Sequence, residues 1–595
     1  MSGKDELDFD PDVLRARYRA ERDRRVRPEG SAQYQQTTGD FGYYVEDPYV
    51  EPGFTRAPLR DRVDVAIIGG GFSGLVAAAR LREAGVGDIR VIDKAGDFGG
   101  TWYWNRYPGA RCDIESYIYL PLLEEVGYLP TEKYTLGPEN RQYAQAIGQR
   151  FDLYRDACFQ TGVTELRWDE TECAWLIRTD RDDHMRARYV VIASGAFSRP
   201  KLPGIPGIET FGGHTFHTSR WDYGYTGGNA DGGMDKIADK RVAIIGSGAT
   251  AIQCVPHLGR EAGHLYVVQR TPSSVGEARN APTDPEWANT LEPGWQRRRM
   301  DNFFQVVSGS REIEDLVADR WTEIYRSLEN PLPDGRVSDL PADQAELAAE
   351  LADFRKMNEI RARIDSVVED PATAEALKPW YRQMCKRPTF SDDYLTTFNR
   401  PNVTLIDTAS QEIDRISERG IVVGGVEHEV DCVIFATGFA VSIPHAQRMG
   451  LEVFGRDGVT LTEYWGRKPR TLHGFYSNGF PNCFHMSGMQ QGVTPNYTHI
   501  VYEQAAHIAD VVAEAEKRQA RYVEPTAEAE ADWVDTLERK AHVKHKYLTE
   551  CTPGYSNNEG SPGDGKNIYG GGPIEFYELI RRWRTDGGWG EVFVD

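Results

Sequence analysis

Small residues recur at two places in the chain with the spacing of a dinucleotide-binding turn. In VDVAIIGGGFSGLVAAARL, Gly69, Gly71 and Gly74 stand in GxGxxG register between an apolar run and a helical pattern. Glycines in such a turn let the backbone approach a pyrophosphate, which then lies at the positive N-terminal end of the helix. Asp93 ends the next apolar run, where a carboxylate can accept hydrogen bonds from ribose hydroxyls. These residues predict an adenine-dinucleotide site, and a strand-helix turn without a ligand is the alternative.

The second turn, in KRVAIIGSGATAIQCVPHL, has the register GxGxxA. Its expected cofactor contacts are Gly246, Ser247, Gly248, Thr250 and Ala251. The next apolar run ends in Arg270 and Thr271. An acidic residue at this position would repel a 2′-phosphate, whereas a guanidinium and a hydroxyl can bind one. This favours NADP(H) over NAD(H), although Arg270 could be a solvated surface cation. Two dinucleotide sites in one chain indicate that a nicotinamide reduces a flavin, so we expect FAD in the first site and NADPH/NADP+ in the second.

A third pattern lies between the two turns and after them. FGGHTFHTSRWD fits FxGxxxHxxx followed by Trp and Pro or Asp, through Phe211, Gly213, His217, Trp221 and Asp222. At these residues the chain resembles the type I Baeyer–Villiger monooxygenases, an FAD- and NADPH-dependent family with this fingerprint. Further matches are GGTWYWNRYPGARCDIES, ASGAFSRPKLPGI, CKR at 385–387 and DCVIFATGF, so the resemblance covers most of the chain from residue 61 onward.

The resemblance implies a catalytic pair, Asp113 in GARCD and Arg387 in CKRP. In this family FAD that NADPH has reduced adds O2 to form a C4a-peroxide, which must stay anionic to attack a ketone. Arg387 would place a permanent positive charge beside the peroxide and the resulting oxyanion, and Asp113 would orient the guanidinium. The product is an ester or a lactone. Without the matched motifs, this Asp and this Arg would be an ordinary surface pair.

Other family positions imply supporting roles. Lys386 matches a second contact to the NADP 2′-phosphate. The resemblance also implies that Arg387 contacts NADP and that Asp113 contacts FAD. Thr101, Trp102 and Tyr119 resemble flavin-site residues, although Trp102 could equally belong to the core. We expect His217 to fix the orientation of the two units by its hydrogen bonds rather than to transfer protons, and a packing histidine is the alternative.

The strand, glycine turn and helix that flank each site predict the architecture. We expect an α/β chain with two Rossmann-like dinucleotide-binding domains, for FAD and NADP, a helical insertion in the NADP domain and an N-terminal extension. The expected boundaries are 1–60 for the extension, 61–200 and 436–595 for the FAD domain with the C-terminal segment, 201–280 and 379–435 for the NADP domain, and 281–378 for the insertion.

Composition narrows the class of partner. The 595 residues carry 69 Lys and Arg against 91 Asp and Glu, and the net charge of −22 repels nucleic acids and anionic lipid surfaces. No apolar run approaches the roughly 20 residues of a membrane helix, and the N-terminus has no signal character. We therefore expect a cytoplasmic monomer or weak homo-oligomer that acts on a small-molecule ketone and O2. The eight cysteines include no CxxC pair, so we expect free thiols and no metal.

The long N-terminal extension and the late segment TECTPGYSNNEG suggest a subgroup. They resemble the long-chain members that include cyclopentadecanone monooxygenase and the terpenoid-lactone enzymes of the pentalenolactone pathway, which implies a bulky cyclic, terpenoid or macrocyclic ketone. The sequence leaves three alternatives. Trp221 and Asp222 argue against a flavin-dependent N/S-oxygenase. A disulfide reductase needs a dithiol next to the flavin, and the sequence has no CxxC pair. The matches at Asp113 and Arg387 argue against a redox-sensing flavoprotein that oxidises nothing.

Overall fold

The computed structural model describes residues 7–310, 312–329, 340–409, 412–441, 443, 445–466, 468–541, 544–562 and 568–594. Residues 311 and 330–339 of the expected helical insertion lie outside this set. The α/β class and the Rossmann-like architecture are confirmed. The domain boundaries given above stay predictions.

The strands follow one another along the chain in this order. They are β1 (Tyr34–Gln35), β2 (Arg62–Ile68), β3 (Ile89–Ile92), β4 (Val163–Asp169), β5 (Ala174–Thr179), β6 (His184–Ile192), β7 (Leu202–Pro203), β8 (His214–His217), β9 (Arg241–Ile245), β10 (His264–Gln269), β11 (Val275–Gly276), β12 (Thr389–Phe390), β13 (Val403–Asp407), β14 (Ile413–Ile416), β15 (Gly420–Val423), β16 (Val426–Glu429), β17 (Cys432–Phe435), β18 (Glu452–Phe454), β19 (Cys483–His485), β20 (Tyr522–Val523) and β21 (Phe593–Val594).

The α-helices alternate with these strands and also fill the space between β11 and β12. They are α1 (Pro11–Asp23), α2 (Phe72–Glu83), α3 (Thr101–Trp104), α4 (Ser116–Tyr119), α5 (Leu123–Val126), α6 (Gly137–Arg150), α7 (Tyr223–Thr226), α8 (Ala249–Glu261), α9 (Pro285–Ala288), α10 (Trp295–Val307), α11 (Arg320–Glu329), α12 (Ala342–Val367), α13 (Pro371–Leu377), α14 (Tyr394–Thr397), α15 (His445–Met449), α16 (Leu461–Trp465), α17 (Tyr497–Arg518), α18 (Ala527–Lys540), α19 (Lys544–Glu550) and α20 (Gly572–Thr585). Over the residues described, no helix is both long enough and apolar enough to cross a membrane.

The larger sheet holds the first glycine turn. Its order is β18, β4, β5, β6, β2, β3, with β19 also paired to β6. β2 runs parallel to both β3 and β6, and its residues Val65 to Ile67 are fully buried. The small residues of α2 let this helix pack between the sheet and α17, which comes from far later in the chain. The larger sheet therefore joins segments from both ends of the sequence.

The second sheet holds the second glycine turn. Its five strands are all parallel, in the order β13, β10, β9, β17, β8. One face of this sheet packs against helices that include α8 and α12, and the other packs against β14, β15 and Tyr44 of the N-terminal extension. Because both faces are buried, the strands are apolar throughout, which explains the apolar run from Val242 to Ile245. β9 ends at Ile245, and the second glycine turn and α8 follow directly. This sheet is built wholly from residues that lie between β6 and β18 in the chain.

Helices α12 and α13 pack beside the second sheet, whereas α10 and α11 pack in the core of the larger sheet. Met357, Ile360 and Ile364 of α12 join the core that covers this sheet. On another face of α12, Phe354 receives Tyr18 of α1 in an edge-on ring contact with centroids 5.4 Å apart. Burial of aromatic rings in this way fixes the extension to the helical segment.

Candidate functional site

Both glycine turns open into one cavity of about 860 Å³. Most of the residues singled out from the sequence line it, namely Gly69, Gly71, Asp93, Thr101, Trp102, Asp113, Tyr119, Gly246, Ser247, Gly248, Thr250, Arg270, Thr271, Lys386 and Arg387. Gly74 and Ala251 lie behind the wall, buried within α2 and α8. The fold thus gathers the two turns, the Asp113 and Arg387 pair and the basic residues around one space.

The first turn leaves no room for side chains. Gly69 has φ +119°, and a Cβ there would lie 2.6 Å from the carbonyl oxygen of Ala193. A Cβ on Gly74 would lie 1.9 Å from the carbonyl oxygen of Gly69, so only glycine permits this contact of helix and turn. The Asp93 carboxylate accepts hydrogen bonds from the amides of Gly70 at 2.5 Å and Ala95 at 2.8 Å. Burial raises the pKa of Asp93, and these two bonds oppose the shift.

The second turn resembles the first, but there is open space around its second glycine. A Cβ on Gly246, where φ is +123°, would lie 2.3 Å from the carbonyl oxygen of Ala436. A Cβ on Gly248 would meet no atom within 4 Å among the described residues, so this position faces open space in the cavity. The Ser247 hydroxyl donates to the carbonyl of Thr271 at 2.6 Å. The buried hydroxyl of Thr271 has no hydrogen-bond partner among the described residues, which leaves it free for a ligand.

Aromatic side chains cover the cavity near the first turn. Trp102 donates its indole N–H to the hydroxyl of Tyr119 at 3.1 Å, and the two rings meet edge-on. Phe72 at the start of α2 packs against the same tyrosine. Thr101 begins α3 directly after Gly100, beside the turn. The tight glycine turn and this aromatic wall fit a flavin dinucleotide.

Asp113 and Arg387 form a bidentate ion pair in the cavity wall. Nη2 of Arg387 donates to Oδ1 of Asp113 at 2.5 Å, and Nε donates to Oδ2 at 3.2 Å. Burial lowers the pKa of Arg387, but the charge and hydrogen bonds of Asp113 outweigh this effect, and the pKa rises. The Arg387 side chain is 38% exposed and Asp113 15%, so the carboxylate sits behind the guanidinium. The pair presents a permanent positive charge to the cavity.

Two aromatic residues near this pair were not predicted from the sequence. Trp321 of α11 donates its indole N–H to the carbonyl of Asp113 at 3.0 Å, and its ring lies 4.8 Å from Cζ of Arg387. Tyr555 also lines the cavity, where burial raises the pKa of its hydroxyl and the nearby charge of Arg387 partly opposes this shift. Composition indicated only helices around Trp321. Tyr555 belongs to the segment that suggested a subgroup, but nothing there indicated its place in the fold.

A cluster of cations surrounds the far side of the second turn. Nη2 of Arg270 lies 3.0 Å from Oε2 of Glu559, and Nζ of Lys201 lies 3.7 Å from Oε1 of the same carboxylate. Arg270 also donates to the side-chain oxygen of Gln33 at 2.9 Å. Burial lowers the pKa of Lys386 to about 7, and the charge of Arg270 adds to this shift. Such a cluster fits a phosphate group. The sequence had indicated Arg270 and Lys386 but neither Lys201 nor Glu559.

The expectation that all cysteines are free was wrong for two of them. Cys385 and Cys551 form a disulfide with an S–S distance of 2.02 Å across a sequence separation of 166 residues. The packing of α19 beside the turn before Lys386 brings their Cα atoms to 5.1 Å, within the range that a disulfide spans. The other six cysteines are free. The bond ties the C-terminal segment to the loop that carries Lys386 and Arg387.

The fingerprint residues lie outside the cavity, at β8 on the edge of the second sheet. His217 is buried, its Nδ1 lies 2.8 Å from the hydroxyl of Ser219, and burial lowers its pKa to about 3. Trp221 is buried and donates to the hydroxyl of Thr226 at 3.1 Å. Asp222 lies 2.8 Å from the ring of His214. The ring of Phe211 covers Gly213, where a Cβ would lie 2.5 Å from it. This arrangement supports a neutral, structural His217.

Comparison with known proteins gives a consistent set of relatives. The family model described as pyridine nucleotide-disulphide oxidoreductase matches residues 63–291, which include both glycine turns. A Baeyer–Villiger monooxygenase of Streptomyces coelicolor is 53% identical over 577 residues, covering 96% of this chain and 95% of the relative. A neopentalenolactone D synthase of Streptomyces avermitilis is 51% identical over 584 residues, covering 97% and 98%. The solved structure of a polycyclic ketone monooxygenase from Thermothelomyces thermophila matches with a TM-score of 0.91 and 38% identity, over 98% of each chain.

Proposed function

Because this chain belongs to the Baeyer–Villiger monooxygenases, we propose that it inserts one oxygen atom of O2 beside the carbonyl of a bulky cyclic ketone to give a lactone. FAD and NADPH are its cofactors. The observation that carries the proposal is the guanidinium of Arg387, held by Asp113 in the wall of the cavity that both turns line. The names of two relatives, a neopentalenolactone D synthase and a polycyclic ketone monooxygenase, support a terpenoid or other polycyclic ketone as substrate.

The residues present fit both cofactors, and we assign them as follows. The FAD contacts are Gly69, Gly71, Gly74, Asp93, Thr101, Trp102, Asp113 and Tyr119. The NADP contacts are Gly246, Ser247, Gly248, Thr250, Ala251, Arg270, Thr271, Lys386 and Arg387. The tight turns and the hydroxyl of Thr271, which has no hydrogen-bond partner within the described part of the chain, support these assignments. FAD, once reduced by NADPH, supplies the activation of O2.

Arg387 would stabilise negative charge on the reacting oxygen atoms. A guanidinium stays protonated at all physiological pH values, and Asp113 raises the pKa of this one further. The oxyanion that develops on the ketone oxygen during attack would therefore face a constant positive charge. Asp113 and Trp321 act on the orientation of this charge, because one holds the guanidinium fork and the other lies against its face. Fixed orientation makes the charge more effective than a mobile cation in water.

The test is product mass analysis with the FAD-loaded enzyme. It is incubated with NADPH, O2 and a mixture of polycyclic and macrocyclic ketones, cyclohexanone and one thioether. We expect lactones that are one oxygen atom heavier than the bulky ketones, and slower conversion of cyclohexanone. Sulfoxide alone, with every ketone unchanged, would contradict the proposal and favour heteroatom oxidation. Sedimentation of the same preparation tests the accompanying proposal of a monomer or weak homo-oligomer.

Arg387→Ala tests the assigned role of the cation. We expect loss of lactone formation while the FAD content is kept. Arg155→Ala is the matched control, because Arg155 also pairs with an aspartate, Asp156 at 2.8 Å, but does so on the surface. Ketone turnover that survives in Arg387→Ala would remove the proposed mechanism without removing the family assignment.

A further inference from the structure

An internal carboxylate occupies the basic cluster beside the second turn. Glu559 is only 3% exposed, and its two oxygens lie 3.0 Å from Arg270 and 3.7 Å from Lys201. The charge of Lys386 lies close enough to interact with it as well. Arg270 and Lys386 are the residues that we assigned to the NADP 2′-phosphate. Glu559 therefore neutralises the cations that this phosphate requires.

The loop around Glu559 is held in place from several sides. The side chain of Asn557 is buried, donates to the carbonyls of Cys551 and Thr552, and accepts from the amides of Gly554 and Gly560. Asn558 accepts from the hydroxyl of Ser31 in the N-terminal extension at 2.6 Å. The disulfide from Cys551 to Cys385 anchors the start of the loop next to Lys386. These hydrogen bonds and the disulfide therefore hold the Glu559 carboxylate beside the basic residues.

A 2′-phosphate and the Glu559 carboxylate cannot share these cations at low cost. Both are anions that seek charge-assisted hydrogen bonds from Arg270, and like charges at such short distances repel each other strongly in a buried site. NAD(H) carries a hydroxyl at this position and needs none of these cations. Displacement of Glu559 is therefore a cost of binding the 2′-phosphate alone.

We propose that Glu559 is a tethered competitor of the NADP 2′-phosphate, and that it sets both the affinity for NADP(H) and its selectivity over NAD(H). This inference rests on the proposed assignment of the basic cluster to the 2′-phosphate. It makes Glu559 a specificity-determining residue supplied by the C-terminal segment. The glycine turn and β10 alone do not set the preference.

The test is calorimetric titration of the FAD-loaded enzyme with 2′,5′-ADP, which carries the 2′-phosphate, and with 5′-AMP, which does not. We expect Glu559→Gln to bind 2′,5′-ADP about tenfold more tightly than the wild type, with 5′-AMP binding unchanged within about twofold. Glu550→Gln is the matched control, because it removes one exposed negative charge just before Cys551, outside the basic cluster. It should leave both affinities unchanged.

Weaker or unchanged binding of 2′,5′-ADP to Glu559→Gln would overturn the proposal, since it would mean that Glu559 orients the cations or does not matter. Failure of any form of the enzyme to bind 2′,5′-ADP would overturn it too. If the variant does not fold, the proposal is tested instead by measuring amide hydrogen exchange of residues 551–560 in the wild type with each of the two ligands. Faster exchange with 2′,5′-ADP than with 5′-AMP supports displacement, and slower exchange refutes it. No ketone or O2 is present, so the result is independent of the oxidation reaction.

Discussion

Replacing Asp113 by Asn tests how far the ion pair determines catalysis. Asp113 accepts two hydrogen bonds from Arg387, at 2.5 and 3.2 Å. An asparagine keeps the size of the side chain but loses the charge and turns one acceptor into a donor that faces the guanidinium. A hydrogen bond to a charged group contributes about 1.5 to 3 kcal/mol.

The expected loss follows from the exposure of the pair. Because the Arg387 side chain is 38% exposed, water replaces part of what is lost. We therefore take about 2 to 3 kcal/mol for the pair as a whole rather than the sum of two bonds. If this energy serves to orient the guanidinium in the transition state, lactone formation falls about 30-fold to 150-fold.

The assay measures lactone formed and NADPH consumed in the same reaction, with FAD content determined first. We expect NADPH oxidation to continue in Asp113→Asn with hydrogen peroxide as the product in place of lactone. Asp156→Asn is the matched control, since Asp156 is the aspartate of the surface pair with Arg155. A lactone rate within about threefold of the wild type would refute the reasoning. So would a loss explained entirely by loss of FAD.

Three other features give predictions of their own. Burial lowers the pKa of Lys386 to about 7, so this lysine is charged below that pH and loses its charge above it. NADP+ binding, but not NAD+ binding, should therefore weaken as pH rises through about 7, and Lys386→Arg should remove this dependence. Calorimetric titrations of the wild type that show no change with pH would contradict this prediction. Gly248→Ala places a Cβ in the open space of the cavity, so the fold and the FAD content should be kept. Because this Cβ would lie where the cofactor backbone approaches, NADP+ binding should weaken about tenfold or more in titrations. An unchanged affinity would show that no cofactor lies there. Cys551→Ser removes a cross-link that contributes about 2 to 4 kcal/mol, and it should lower the thermal unfolding midpoint and speed proteolysis of residues 551–560. A phosphine reductant should have the same effect on the wild type and none on the variant, and stability that neither treatment changes would argue against the disulfide.

The parts of the fold that depend on local sequence were predicted correctly. The turn at Gly69 needs only the strand before it and the helix after it, and its positive φ is a property that glycine itself allows. The same holds for Gly246. The apolar run before the second turn, which is β9, indicated a strand, and a parallel strand that is covered on both faces has no polar side.

The contacts between distant segments could not be read from the residues themselves. Cys385 and Cys551 lie 166 residues apart, and no spacing rule links them. Glu559 meets Arg270 only because the C-terminal segment crosses the second sheet unit, and no periodicity indicates that crossing. Asp113 was paired with Arg387 solely through the family motifs. Where no motif covered a residue, as at Trp321, its place beside the pair was missed.

The order of the strands has a consequence for how the chain folds during synthesis. All five strands of the second sheet have been synthesised once β17 is made, whereas the larger sheet still lacks β18 and β19, and α2 still lacks α17, which covers it. Until β19 and α17 are made, the larger sheet has an unpaired edge at β6, and the apolar helix α2 is exposed. Both features favour aggregation. The inner nucleotide-binding unit is therefore positioned to fold first, inside an unfinished outer one. A chain that stops before β19 would leave the flavin half incomplete, so this half cannot be obtained by cutting the protein after its first sheet strands.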